Sequence, residues 1–149
     1  MTAPIRVLVA DDDRALRQLI ARVLRRAGYT VAEVADGSDV LDVIGDCLLD
    51  AGATRPNIIV SDIRMPGVTG LQIVASLRAL DPAIPTILIT AFGDAHTHAL
   101  ATELGAVLVL DKPFDIATLC EAITRFAGPA IAADVTPPPP PRSARSASR

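Results

Sequence analysis

The feature that most constrains the fold is a regular alternation, between residues 5 and 127, of short apolar runs and longer amphipathic segments. The apolar runs lack the polar alternation of a strand with one face in water, so they indicate strands buried on both faces. Strands of this kind form parallel sheets that are covered by helices. The sequence predicts them at residues 5–10, 30–34, 58–61, 86–89 and 107–110.

A segment with the spacing of an amphipathic helix follows each predicted strand. In the first segment, Leu16, Leu19, Ile20 and Leu24 recur at helical spacing, acidic residues precede them, and basic residues and a glycine close the segment. Helices are predicted within residues 11–28, 38–49, 71–80, 94–104 and 115–126. The predicted fold class is therefore α/β, with five parallel strands in one sheet and helices on both of its faces.

Acidic residues, a hydroxyl and a lysine follow the predicted strands at their carboxyl ends. Parallel strands of an open α/β sheet present these ends at one edge, where ligands bind. We therefore expect the following residues to converge there: Asp11, Asp12 and Asp13 after the first strand, Asp62 after the third, Thr90 after the fourth, and Asp111, Lys112 and Pro113 after the fifth.

These residue types are suited to phosphoryl transfer. Carboxylates held close together repel one another unless a cation lies between them, and Mg²⁺ prefers carboxylate, water and phosphate oxygens as ligands. Lys112 adds a positive charge and Thr90 adds a hydroxyl donor. Phosphoryl transfer depends mainly on positioning and charge neutralisation, and an aspartate can itself act as the nucleophile.

Four segments carry a resemblance to a known family. VLVADDD, SDIRMPGVTGL, ILITAFGD and LDKPFD stand in this order, each at a predicted strand end. Over residues 5–127 the chain resembles the receiver domain of bacterial two-component response regulators. The resemblance implies a flavodoxin-like (βα)5 fold, Mg²⁺ as the cofactor, and a phosphoryl group carried on an aspartate.

The resemblance also implies a role for each matching acid. Asp62 matches the phosphoacceptor. Asp12 matches the direct Mg²⁺ ligand, and Asp11 the second acid, which holds the ion largely through water. Arg64 matches the position whose backbone carbonyl completes the metal shell.

The phosphate side of the implied site consists of Thr90, whose hydroxyl reaches for the phosphate, and Lys112, which pairs with it. Pro113 matches a proline that often follows a cis peptide bond. Phe92 is expected to border the site and to tune the access of water. Val109 stands where the family usually has a tyrosine or phenylalanine. It offers no ring that could move together with the Thr90 hydroxyl, as the ring usually does in the family.

Several residues have plainer interpretations. Asp13 is either the N-cap of the first helix, which is favoured, or a third acid of the site. His96 and His98, two apart on one helix, are expected to be surface residues. Cys47 and Cys120 have no metal-ligand spacing and are expected to be buried, reduced thiols. The segment between residues 36 and 62 is longer than usual, with the extra residues placed in a surface loop at 48–57.

The implied partners are proteins. The phosphoryl donor would be a phosphohistidine on a sensor histidine kinase or a histidine phosphotransfer protein. An unknown downstream protein would bind the face formed by residues 94–126. A net charge of −3 and 3 % aromatic residues argue against nucleic acid, and no apolar run is long enough for a membrane span. A cytoplasmic location is expected, and both a monomer and a homodimer stay open.

The chain is divided into a receiver domain at residues 1–128 and a tail at 129–149. The tail contains PPPPPR and is rich in serine, alanine and arginine, which predicts a disordered segment; a docking peptide is the alternative. It is too short for a DNA-binding output domain, so a stand-alone receiver is expected.

Two other functions compete with a phosphorylated receiver. One is a receiver-like interaction module that takes no phosphate, an idea raised by Val109. The other is a phosphatase of the haloacid-dehalogenase type, in which Asp11 and Asp13 would form the D-x-D pair. The favoured reading is a phosphoacceptor with self-phosphorylation and slow self-dephosphorylation only, and not an enzyme.

Overall fold

The structure, a computed structural model, describes residues 4–50 and 54–130. Strands and helices alternate along these residues. They are β1 (Arg6–Ala10), α1 (Arg14–Arg26), β2 (Thr30–Val34), α2 (Gly37–Leu49), β3 (Ile58–Asp62), α3 (Gly70–Leu80), β4 (Thr86–Thr90), α4 (Ala95–Leu104), β5 (Leu108–Asp111) and α5 (Ile116–Ala127).

The five strands form one parallel sheet in the order β2-β1-β3-β4-β5. Both faces of the sheet are covered. Side chains of α1 and α5, among them Ile20, Leu24 and Ile123, pack with β-strand valines and isoleucines on one face. Helices α2, α3 and α4 pack on the other face, with Ile44 and Ile73 at the centre of one cluster. The predicted α/β fold class and the predicted elements are confirmed.

Helix starts in this fold are fixed by short polar side chains. The side chains of Asp13, Asp36, Thr69, Asp94 and Asp115 each accept a hydrogen bond from a backbone N–H of the following first turn. Such caps satisfy donors that have no partner within the helix. The favoured interpretation of Asp13 as the N-cap of α1 is confirmed.

Three strands extend one residue beyond their predicted ends. β3, β4 and β5 include Asp62, Thr90 and Asp111, and the ladder pairs Asp62 with Ile89 and Thr90 with Asp111. The predicted strands end at Ser61, Ile89 and Leu110, one residue before each of these side chains. The backbone pairing continues past that point and holds these residues in the sheet.

The predicted surface loop at 48–57 is only partly described. Helix α2 continues to Leu49, and Arg55 pairs with Asp81 at the end of α3 through Nε–Oδ2 and Nη2–Oδ1 distances of 2.6 and 2.8 Å. Residues 131–149, which hold nearly all of the predicted tail, lie outside the described residues. Among the helices of the described ranges, none combines the length and apolar character needed to cross a bilayer.

Candidate functional site

The residues predicted to converge do so at the carboxyl edge of the sheet. Asp11 directly follows β1, Asp62 ends β3 and Thr90 ends β4. All three are almost inaccessible to solvent, with exposed fractions of 1 %, 6 % and 2 %. Because the three strands are adjacent and parallel, the sheet alone brings these polar groups into one buried patch.

Three carboxylates form the acidic part of the site. Asp11, Asp12 and Asp62 each place one carboxylate oxygen within 4.8 Å of the other two; Asp12 is exposed and the other two are buried. Burial, with a smaller contribution from the charge of Asp62, raises the pKa of Asp11 to about 6. The Asp13 backbone N–H, 2.8 Å from Asp11 Oδ1, opposes this rise. The Asp13 side chain caps α1 instead of joining the cluster.

Lys112 supplies the positive charge of the site. Its Nζ lies 3.1 Å from Asp62 Oδ2 and 3.5 Å from Asp11 Oδ2. Burial acts to lower the pKa of Lys112, but the hydrogen bond to Asp62 and the two carboxylate charges outweigh this effect and raise it. The Lys112 backbone N–H donates to Thr90 O at 2.7 Å, and the Lys112–Pro113 peptide bond is cis, as expected.

The acidic cluster fits a hard divalent cation. Asp11 Oδ2 is buried and accepts no hydrogen bond among the described residues, although Lys112 lies within ion-pair distance. A buried carboxylate oxygen in this state is costly unless a cation neutralises it. Carboxylate oxygens are the ligands that Mg²⁺ prefers. The three acids are therefore suited to hold such an ion.

Comparison with known proteins decides the family. The family model of the response regulator receiver domain matches residues 7–124. The chain belongs to this family. Sporulation initiation phosphotransferase F of Bacillus subtilis is 29 % identical over 121 residues, which cover 81 % of this chain and 92 % of that protein. The receiver domain of Francisella response regulator 1452 superposes with a TM-score of 0.74 at 26 % identity, covering 84 % of this chain and 97 % of the other.

Other relatives are much longer than this receiver domain. The C4-dicarboxylate transport transcriptional regulatory protein DctD of Rhizobium meliloti is 36 % identical over 125 residues. The match covers 84 % of this chain but only 26 % of DctD. The chain therefore spans about a quarter of that relative, and the similarity concerns the receiver domain alone.

The mouth of the receiver site is bordered by Arg64 and Phe92. The Arg64 guanidinium carbon lies 4.3 Å from the centroid of the Phe92 ring, a cation–π contact. Phe92 is 64 % exposed, and its backbone N–H donates to Thr90 Oγ1 at 3.1 Å. The Arg64 backbone N–H donates to Asp62 Oδ1 at 3.2 Å. Phe92 thus lies beside the site as predicted, whereas the metal-binding role of the Arg64 carbonyl stays a prediction.

Val109 lies on the side of the sheet that α3 and α4 cover. It is partly buried and packs against the cluster that contains Ile63, Val74, Leu88 and Ala101. A branched aliphatic side chain in this packed position has no ring that could swing between an exposed and a buried orientation.

The sequence did not predict the contact between His98 and Asp111. His98 Nε2 lies 2.9 Å from Asp111 Oδ1, and this joins α4 to the residue before Lys112. Gly93 makes room for the pair, because a Cβ there would overlap Asp111 Oδ1 and lie 2.8 Å from His98 Nε2. His96 is exposed as predicted, whereas His98 is half-buried. Gly93 was the one signal in the sequence that could have indicated this close approach.

The two cysteines are free thiols with no role in the site. Both Cys47 and Cys120 are half-buried, so the prediction that they are buried was wrong. Cys120 packs against the core cluster that α1 and α5 form with the sheet, and Cys47 Sγ donates to Thr54 O at 3.4 Å.

Proposed function

We propose that this receiver domain accepts a phosphoryl group on Asp62 from the phosphohistidine of a sensor histidine kinase or a histidine phosphotransfer protein. The observation that carries the proposal is the placement of one buried carboxylate, Asp62, between a lysine ammonium and two further carboxylates. A carboxylate in contact with both a cation and a metal-binding cluster has the surroundings that a phosphoryl acceptor needs.

In the proposed reaction an Asp62 carboxylate oxygen attacks phosphorus. A P–O bond forms, the P–N bond to the donor imidazole breaks, and the nitrogen retains the electron pair. Asp11, Asp12, Asp62 and the backbone carbonyl of Arg64 would hold Mg²⁺. When bound, Mg²⁺ supplies positive charge that neutralises the phosphoryl oxygens.

Lys112 and Thr90 stabilise the product in this proposal. The Lys112 ammonium, now paired with Asp62 Oδ2, exchanges that contact for a phosphoryl oxygen. The Thr90 hydroxyl is positioned by the sheet and can donate a hydrogen bond to a second phosphoryl oxygen. Because the phosphate stays on the chain and is later lost to water, we propose a phosphoacceptor with self-phosphorylation and slow self-dephosphorylation, and no turnover of a separate substrate.

The signal would leave through the face made of α4, β5 and α5. Lys112 and Thr90 are joined by the 2.7 Å backbone hydrogen bond, and Asp111 is joined to α4 through His98. A phosphate on Asp62 adds about −2 charge and three acceptor oxygens next to these contacts. We propose that this shifts the position of α4 and thereby the affinity for a downstream protein in the cytoplasm.

The competing functions have less support. The phosphatase reading needs the Asp13 carboxylate in the site, but that carboxylate caps α1. The phosphate-independent module is favoured by Val109 alone. The phosphorylated receiver is supported by the buried Asp62, the paired Lys112 and the strand-end Thr90.

The test is incubation with acetyl phosphate, with and without Mg²⁺, followed by intact-mass measurement. We expect a gain of one phosphate that requires Mg²⁺ and is lost in Asp62→Asn. Asp13→Asn is the matched control, because Asp13 is adjacent in sequence but caps a helix, and it should keep the adduct. Absence of the adduct in a folded protein that binds Mg²⁺ would support the phosphate-independent module.

A further inference from the structure

An apolar groove lies beside the receiver site and plays no part in the proposed chemistry. It has a volume of about 390 Å³. Leu16 and Leu19 of α1 form one wall, and Pro113 and Phe114 of the β5–α5 connection form the other with Ile116 of α5. Leu19 is 43 % exposed, which is high for a leucine at a helix–helix boundary. A groove of aliphatic and aromatic side chains next to a functional site is a surface that a ligand can cover.

The geometry points to an occupant within the chain, and we propose that residues 137–142, PPPPPR, bind in this groove. Consecutive prolines favour the polyproline II helix, which exposes apolar ring surfaces and loses little conformational entropy when it binds. Grooves lined by aromatic and apolar side chains recognise such segments. The sequence of the tail and the chemistry of the groove therefore match.

The length of chain between the last described residue and the prolines fits the distance. Ala130 lies at the far end of α1, where a Cβ on Gly28 would be 3.2 Å from Ala130 Cβ. From Gly28 to Leu16 along α1 is about 18 Å at 1.5 Å per helical residue. Residues 131–136 span about 19 Å when extended, at about 3.1 Å per residue. A tail that runs back along α1 brings Pro137 to the groove.

Charges are complementary at both ends of this path. Arg22 and Arg26 are exposed on the C-terminal half of α1, where the returning chain would carry Asp134. At the other end, the exposed Asp13 borders the groove, where Arg142 would follow the prolines. Lys112 also lines the groove, but its ammonium is paired with Asp62 and Asp11. Opposite charges placed this way fix the direction and register of the segment.

Bound in the groove, the tail covers the surface next to the Lys112–Pro113 peptide. If Asp62 is phosphorylated as proposed above, a protein donor has less access to this side of the site, whereas a small donor such as acetyl phosphate does not. This consequence rests on the proposed function; the binding of the tail does not.

The test compares amide NMR spectra of the full chain with those of three full-length variants. In one, serine replaces each of the prolines 137–141; the others are Arg142→Ala and the matched control Arg149→Ala. We expect the signals of Leu19, Phe114 and Ile116 to move in the serine variant, to move less in Arg142→Ala, and to stay in Arg149→Ala. All substitutions lie outside the described fold, so the folded domain is unaffected.

A peptide of residues 134–144, added to the serine variant, should return these signals towards their wild-type positions in a saturable manner, and a peptide with serine for proline should not. The proposal is overturned if the groove signals are the same in all variants. It is also overturned if Arg142→Ala and Arg149→Ala have equal effects, or if the difference between wild type and variant grows with protein concentration. The last result would indicate a second copy of the chain as the partner. None of these outcomes depends on phosphorylation.

Discussion

The ammonium nitrogen of Lys112 lies 3.1 Å from Oδ2 of Asp62, although the two residues are 50 positions apart in the chain. Lys112 is the one lysine of the sequence, and all other Lys or Arg positions are arginine. Its ammonium partly neutralises two buried acids, and it occupies the position from which it can transfer to a phosphoryl oxygen on Asp62. The side chains of the site thus set one cation against three carboxylates.

Asp11→Asn should stabilise the metal-free protein at neutral pH. Burial raises the pKa of Asp11 from its usual 3.8 to about 6, so folding at pH 7–8 carries the cost of a buried charge, up to about 3 kcal/mol. The cost is full above pH 6, decreases as the pH falls and is absent below pH 3.8. Denaturant unfolding in a chelator should therefore show a gain for the variant that shrinks on acidification. A gain that is constant with pH would contradict this assignment.

Lys112→Met should destabilise the metal-free protein and strengthen its response to Mg²⁺. Without the ammonium, Asp62 and Asp11 lose their paired cation, and we expect a loss of about 1–3 kcal/mol in chelator. Mg²⁺ then meets carboxylates with no competing positive charge, so saturating Mg²⁺ should raise the unfolding midpoint more than in wild type. Thermal unfolding with and without Mg²⁺ measures both effects. Arg64→Met removes a charge only from the rim of the site. It should change the stability in chelator and the response to Mg²⁺ by no more than a small amount.

Gly70→Ala and Gly45→Ala should change stability in opposite directions. A Cβ on Gly70 would lie 2.5 Å from Asp62 O and 2.9 Å from Ile63 Cα, so α3 must shift away from the end of β3, at a cost of about 1–3 kcal/mol. A Cβ on Gly45, within α2, meets nothing within 4 Å, and alanine should gain about 0.5–1 kcal/mol there. Chemical denaturation of the two variants tests this. Equal effects would mean that Gly70 does not hold α3 against the site.

Phe92→Ala should shorten the life of the proposed phosphate on Asp62. The Phe92 ring and the Arg64 guanidinium lie together at the mouth of the site, 4.3 Å apart, and restrict the approach of water. We expect loss of phosphate to become several-fold faster, as followed by intact mass after acetyl phosphate is removed. Phe92→Leu keeps an apolar side chain over the site, so its rate of phosphate loss should lie between those of the wild type and Phe92→Ala. An unchanged or slower loss in Phe92→Ala would show that the pair does not shield the phosphate.

Much of this arrangement follows from sequence pattern alone. Apolar runs without alternation predict a parallel sheet, and the sheet rule then places Asp11, Asp62 and Thr90 at one edge, as found. Asp13 was assigned to a helix cap because a short acid precedes a helical repeat, and the cap is present. These features depend on local periodicity and on the geometry common to all such sheets.

Contacts between neighbouring elements were beyond sequence reasoning. The His98–Asp111 pair depends on how α4 lies over β5, and the Arg64–Phe92 contact on how two loops approach one another. The half-burial of Cys47 and Cys120 likewise depends on how closely neighbouring segments pack around each helix. Periodicity gives the inward face of a helix, but not its rotation or the partner that its flank meets.

The most direct test of Asp62 as the phosphoacceptor is to locate the phosphate chemically. The protein is treated with acetyl phosphate and Mg²⁺, the acyl phosphate is reduced with borohydride, and peptides are sequenced by mass spectrometry. We expect a single reduced residue, homoserine at position 62, that is absent when Mg²⁺ is removed. Reduction at Asp11 or Asp12, or no reduced residue in a folded protein that binds Mg²⁺, would contradict the assignment of Asp62 as the phosphoacceptor.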